Sequence, residues 1–196
     1  NNNELYLCKM GRPSAIYKLA RTGSQPPPPP PLLSETGAFT NLVTLAPASG
    51  LIPFAVNSAL WSDGAAKWRW LALPTDGAPY ATNETIRFSV TNEWDFPVGT
   101  VLVKHFELGI NHTNPLAIKR LETRFLVHAT NNSWYGLTYK WRADQSDADL
   151  LPGGLLEDVP IQTASNVITQ TWQYPGRQDC LTCHNTAAGF VLGPQW

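Results

Sequence analysis

At 196 residues the chain is long enough for one domain with a proper core and one small appendage. Its 14 Lys and Arg against 15 Asp and Glu leave a net charge of −1, so no basic footprint points to nucleic acid or an anionic membrane surface. With 17 Pro, 14 Gly and only 15% charged residues, the composition suits short strands joined by turns, not a helical bundle, and no apolar run is long enough to span a bilayer.

In chain order, the start Asn1-Asn2-Asn3-Glu4 has neither Met nor a basic leader, which reads as a mature or clipped product. Residues 4–20 set Leu5 and Leu7 against Tyr6 and Cys8, turn at Gly11-Arg12-Pro13 and return through Ile16, Tyr17 and Leu19. This predicts a β-hairpin within 1–24, and a lone hairpin needs a larger sheet to join. The proline run over 26–31 can only be a polyproline II rod, making 25–31 a stiff linker. Residues 32–196 follow as a β-rich domain. A short helix is expected near 34–39, with strands over 67–73, 84–90, 100–108, 119–129, 133–142 and 167–172. Asp63-Gly64, Asp76-Gly77, Pro97-Val98-Gly99 and Pro152-Gly153-Gly154 supply turns. The fold class this predicts is mainly β, a sandwich or open barrel with a short C-terminal helix.

That helix, expected after Pro175-Gly176, would carry Cys180-Leu181-Thr182-Cys183-His184. C-x-x-C-H is the attachment sequence of a c-type haem. Thiols three residues apart on a helical turn can straddle two vinyl groups, and His184 can then approach the iron as proximal ligand. A zinc knuckle would need a second Cys or His pair, but the only other cysteine is Cys8, and His105, His112 and His128 form no pair at ligand spacing. A thioredoxin-like motif would need a βαβ setting. A Cys180–Cys183 disulfide would close a short, strained loop. Covalent haem attachment takes place outside the cytoplasmic membrane, so a periplasmic or extracellular location is expected, where Cys8 is left as an odd thiol.

Twelve residues follow His184, none of them Met or His, so a second axial ligand must come from upstream, from another chain, or be absent. His105 ranks first, because alternation puts it on the face of Val101 and Val103. His128 ranks second, on the face of Glu122, Arg124 and Leu126; His112 reads as an exposed loop residue, and Met10 lies beyond the proline run. Trp172, Tyr174 and Arg177 are expected to pack on the macrocycle or pair with a propionate. Trp61, Trp68, Trp70, Trp94, Trp134, Trp141 and Trp172 could make a sugar-stacking platform, though core and cofactor packing is the simpler use. Residues 144–149 have alternating carboxylates but lack the central glycine and distal glutamate of a calcium loop, so they read as a solvated turn.

The segments 58–74, 96–104, 120–124, 136–141 and 174–184 resemble a family of secreted bacterial haem c proteins. In that family a β-rich domain carries C-x-x-C-H near its end, often behind a glucose/sorbosone dehydrogenase-like propeller that uses pyrroloquinoline quinone. Glu4-Leu5-Tyr6-Leu7 and Ile16-Tyr17-Lys18-Leu19 look like the closing strands of such a propeller. The family usually continues past the equivalent of Gly193, and this chain stops at Trp196. The resemblance implies electron transfer by one haem c, serving a quinoprotein sugar dehydrogenase or an extracellular electron chain, with a dehydrogenase module or another cytochrome as redox partner. Three other uses stay open: a homo-oligomeric haem assembly built by N-terminal strand donation, a carbohydrate-binding accessory domain, and an open-site haem enzyme.

Overall fold

The computed structural model describes residues 5–9, 15–19, 27–78 and 81–192. The fold is mainly β, in several antiparallel sheets, with one short C-terminal helix. Strands β1 (Leu5–Lys9) and β2 (Ala15–Leu19) form the expected hairpin. Among the described strands they pair only with each other, so the larger sheet they were expected to join is not found. A 3-10 turn at Leu33–Thr36 stands where a short helix was predicted. A small hairpin, β3 (Phe39–Asn41) with β4 (Ala46–Pro47), follows.

The body is a six-stranded sheet made of β5 (Ile52–Pro53), β6 (Ala66–Ala72), β7 (Val101–Gly109), β8 (Ile118–His128), β9 (Trp134–Trp141) and β10 (Ala148–Leu150). The strands lie in chain order, each antiparallel to the next; β8 and β9 are joined by the short turn 129–133, whereas β6 and β7 are joined by the long loop 73–100. A separate hairpin, β11 (Leu155–Gln162) with β12 (Val167–Tyr174), leads into helix α1 (Arg177–Cys183). Strand β11 was not predicted because Pro160 interrupts it; a strand paired on one side only can carry a proline that donates nothing.

The predicted strand over 84–90 is absent. A 3-10 turn at Thr82–Glu84 and a single bridge from Arg87 to Asp95 take its place. The cause is Glu84, which turns its carboxylate inward to accept the backbone N–H of Asp76 at 2.6 Å and of Ala81 at 3.1 Å. Those bonds fold the segment into a loop and leave Phe88 and Val90 exposed despite their alternation.

Alternation divides the sheet into two faces. The first face carries Trp70, Val103, Phe125, Leu137, Tyr139 and Trp141 against Leu33, Phe39, Leu45 and Leu51 of the N-terminal segment. Each fully buried side chain of this size contributes roughly 1.5–3 kcal/mol. Asp147, from the turn over 144–149 that reads as solvated in the sequence, is buried and pins that segment by accepting the Ser34 N–H at 3.1 Å and hydroxyl at 2.6 Å. The end of the proline run also lies on the body: Pro30 accepts the Tyr139 hydroxyl and Pro31 the Leu150 N–H, each at 2.9 Å. On the second face, the β11–β12 hairpin brings Val159, Ile161, Trp172 and Tyr174 onto Phe106 and Leu108. The other end of this face packs Leu71, Leu102 and Leu126 with Phe96, Trp134 and three residues of the C-terminal segment, Leu181, Phe190 and Val191.

Candidate haem site

Helix α1 is short, and its ends are well defined. Asp179 accepts the Gly176 N–H at 2.8 Å, capping the first turn, and the His184 N–H closes the last turn on Cys180 at 3.0 Å. The helix lies against the second face at β9 because Gly136 lets it. A Cβ there would stand 2.6 Å from both Cβ and Sγ of Cys180. Thr138, on the same face as Gly136, donates to the Pro175 carbonyl at 2.8 Å and fixes the entry to the helix. Cys180 is half-buried and Cys183 exposed, and both thiols are free, so the short disulfide is not formed. Burial pushes the Cys180 thiol up.

Past the helix, the chain doubles back. Asn185 caps a 3-10 turn at Thr186–Ala188, and Gly189 and Phe190 follow with φ of +56° and +62°. A phenylalanine in the left-handed region is strained by on the order of 1–3 kcal/mol, and such strain clusters at functional sites. Here it aims the Phe190 carbonyl at the His184 ring, 2.6 Å from Nδ1. A carbonyl can only accept, so Nδ1 carries the proton and Nε2 keeps its lone pair. Ligating histidines are held in this way by a hydrogen bond from their other nitrogen. Burial lowers the His184 pKa first; the hydrogen bond to Phe190 opposes this and the charges of Lys104 and Arg124 reinforce it, so the balance favours the neutral, ligating ring.

The surroundings decide which other sequence candidates belong here. His128 lies on the motif's face, stacked on Trp134 at 4.3 Å, and Trp134 stacks in turn on Phe190 at 5.6 Å. Both His128 nitrogens are already engaged, Nδ1 with the Phe96 carbonyl at 3.0 Å and Nε2 with Asn132 at 2.9 Å. His105 is on the first face, across the sheet from Cys180, and is fully buried. Trp141 donates to the Thr123 hydroxyl at 3.0 Å, and that hydroxyl meets His105 Nδ1 at 2.8 Å. His105 Nε2 meets Glu107 at 3.1 Å, and Arg120 bonds the same carboxylate oxygen at 3.2 Å. Both nitrogens of its ring are hydrogen-bonded, and the structure does not bring it to the motif's side of the sheet. Alternation was read correctly, but the apolar face it selects is the one the motif does not occupy.

His112 is exposed at the far end of β7 from the motif, beside Gln162. Met10 and the side chain of Cys8 lie outside the described residues. Trp172 is buried and donates to Glu122 at 2.9 Å, and Tyr174 is buried with its hydroxyl on Glu157. Both serve the hairpin–sheet joint, not α1. Arg177 lies over the Tyr135 ring at 5.2 Å. The tryptophans form no single platform: Trp70, Trp134, Trp141 and Trp172 are buried, whereas Trp61 and Trp68 are exposed.

The donor set suits a haem better than a bare metal ion. Among the described residues no three His, Cys, Asp or Glu side chains converge as a metal cluster, which a zinc site would need. A haem brings its own four nitrogens and asks the chain for thiols and one imidazole, which α1 and its cap present. A second fit is Trp94, whose buried indole N–H finds no acceptor among the described residues. It packs on the same apolar cluster as Leu181 and Phe190, where an acidic group of a cofactor could accept from it. Sequence reading missed Gly136 and Phe190, and placed Trp94 only among the tryptophans for core or cofactor packing. Only Gly136 left a trace, as a glycine inside a strand, which marks a close backbone approach.

No family model, curated protein or solved structure matches the chain.

Proposed function

We propose that the chain carries one covalent haem c, with thioethers at Cys180 and Cys183 and His184 as proximal ligand, and that it passes single electrons. The observation that carries this reading is the His184 ring. Its Nδ1–H is committed to the Phe190 carbonyl and Nε2 is left to ligate, on the same turn as two free thiols. When bound, the haem supplies a one-electron iron couple set by axial ligation, hydrogen bonding and burial. The chain's own part is to orient the imidazole, keep it neutral, and seat α1 against Gly136. His128 could serve as second ligand only by giving up its bond to Asn132. The resemblance to secreted haem c proteins extends the proposal: electrons arrive from a quinoprotein sugar dehydrogenase module and leave to another cytochrome or an extracellular acceptor, outside the cytoplasmic membrane.

The test is the intact mass and visible spectrum of protein produced with a haem-attachment system. One haem above the polypeptide mass and a Soret band are expected, both lost in C180A/C183A. A bare polypeptide mass with no Soret band rejects the reading. Adding carbon monoxide to the reduced protein reports the second position, since a shifted spectrum identifies an open iron and favours small-molecule chemistry over electron relay. One structural alternative also has an observation behind it. Because β1 and β2 pair only with each other among the described strands, their outer edges suit strand addition to a second copy. A strictly monomeric species in light scattering rejects that assembly.

A further inference from the structure

On the motif's face, Arg69 of β6, Lys104 of β7 and Arg124 of β8 stand directly opposite one another across three neighbouring strands. Lys67 shares the face one rung along, opposite Phe106. Like charges facing one another across strands are destabilising, so the row calls for a counter-charge. The carboxylate at hand is already used: Glu122 is fully buried and bonded twice by Arg124 and once by Trp172. Elsewhere cations are matched, as Arg87, Lys119, Arg120, Lys140 and Arg142 each have a carboxylate within reach. Lys67, Arg69 and Lys104 have none among the described residues; Lys67 settles on the Leu60 carbonyl and the Ser62 hydroxyl.

The position of the row is as telling as its charge. Cys180 sits on β9 at Gly136, and the cations run away from it across β8, β7 and β6. Two strand spacings, roughly 10 Å, separate β9 from β7, a distance comparable with the breadth of a porphyrin. Porphyrin vinyls and propionates leave the ring on opposite edges. The unsatisfied Trp94 indole N–H belongs to the apolar cluster that includes Leu71 and Leu102, the same-face neighbours of Arg69 and Lys104.

We propose that Arg69, Lys104 and Trp94 form a carboxylate-binding site and that its ligand is the propionate edge of the haem anchored at Cys180 and Cys183. The inference rests on the haem reading above. It replaces Arg177, which lies over Tyr135 on the β9 side, as the residue that meets a propionate. The two neutralised cations also bias the iron couple, because positive charge beside the haem favours the reduced state.

The experiment compares holoprotein R69Q/K104Q, W94F and the control K119Q by resonance Raman and spectroelectrochemistry. The propionate bending bands are expected to shift in R69Q/K104Q and in W94F, and to stay in place in K119Q. The reduced-to-oxidised ratio at fixed electrode potential is expected to fall on the order of tenfold in R69Q/K104Q, about 59 mV for one electron. Unmoved propionate bands with the Soret band intact overturn this site and leave the haem reading standing; a missing Soret band in wild type fails the haem reading itself. Inorganic phosphate is the third arm. Saturable phosphate binding to wild-type holoprotein that disappears in R69Q/K104Q means the cations are free for soluble anions, and it overturns the propionate assignment. No such binding supports it.

Discussion

The two faces of the central sheet share strands and register yet solve opposite problems. On the first, Trp141, Thr123, His105, Glu107 and Arg120 close into one chain of hydrogen bonds under the N-terminal segment. On the second, Arg69, Lys104 and Arg124 stand abreast with Glu122 as their one buried carboxylate, beside a helix whose two thiols form no disulfide. His105 and Lys104 are consecutive residues, and a strand sends consecutive side chains to opposite faces. A polar group finished by its neighbours stabilises the fold, whereas one left incomplete points to something the chain does not itself supply.

The largest expected effect separates the faces by exchanging their histidines. His184→Ala removes the ring that Phe190 orients, and haem-loaded protein should show an altered Soret spectrum while the thioethers hold the cofactor. His105→Ala should leave that spectrum unchanged but lower unfolding free energy by about 2–4 kcal/mol, since it takes one hydrogen-bond partner each from Thr123 and Glu107 and opens a cavity between Trp68 and Trp141. Urea melts of the two variants, read beside their spectra, check this. A spectral change in His105→Ala with unaltered stability would return His105 to the iron.

Next comes the contact that seats the helix on the second face. Gly136→Val puts a branched side chain where Cys180 stands, and the expected cost is about 1–3 kcal/mol with slower haem attachment. Gly109→Ala, at the end of β7 with open space around its Cβ, should do neither. Haem stoichiometry and melting temperature of both variants decide it; equal behaviour would mean that α1 can shift without consequence.

How much of this was legible beforehand follows from range. The long strands β6 to β9 were readable because alternation is local, and the motif because its chemistry lies within five residues. Which face received the motif was not readable. It depends on Gly136 and Thr138 meeting Cys180 and Pro175 from some forty residues away, and no periodicity encodes that. The cation row could have been half seen: Lys67 and Arg69 share a face by spacing, but Lys104 joins them only through the β6–β7 register. Glu84 misled the reading of 84–90 because its inward carboxylate, bonded to two backbone N–H groups, folds the segment into a loop despite the apolar alternation.

The smallest expected effect tests the paired half of the second face against its unpaired half. Glu157, on β11, is gripped by Lys119 at 2.6 Å and Lys140 at 3.2 Å, and by the Tyr174 hydroxyl, tying the hairpin to β8 and β9. Burial alone would raise this carboxyl, but those hydrogen bonds and the Lys119 charge outweigh it and hold it at about 2, against an ordinary 4.5. A carboxylate depressed on folding stabilises the native state above its unfolded pKa, and that contribution drains away as pH falls towards the folded one. Wild type should therefore lose this contribution between pH 4.5 and about 2, and Glu157→Gln should have lost it already at neutral pH. Because the carboxylate is partly exposed, solvent screening keeps the difference to about 1 kcal/mol. Unfolding midpoints from pH 7 down to pH 3 should converge for the two proteins. Parallel curves across that range would mean that the lysines do no more for Glu157 than water does, and the contrast between a matched and an unmatched half of this face would lose its energetic basis.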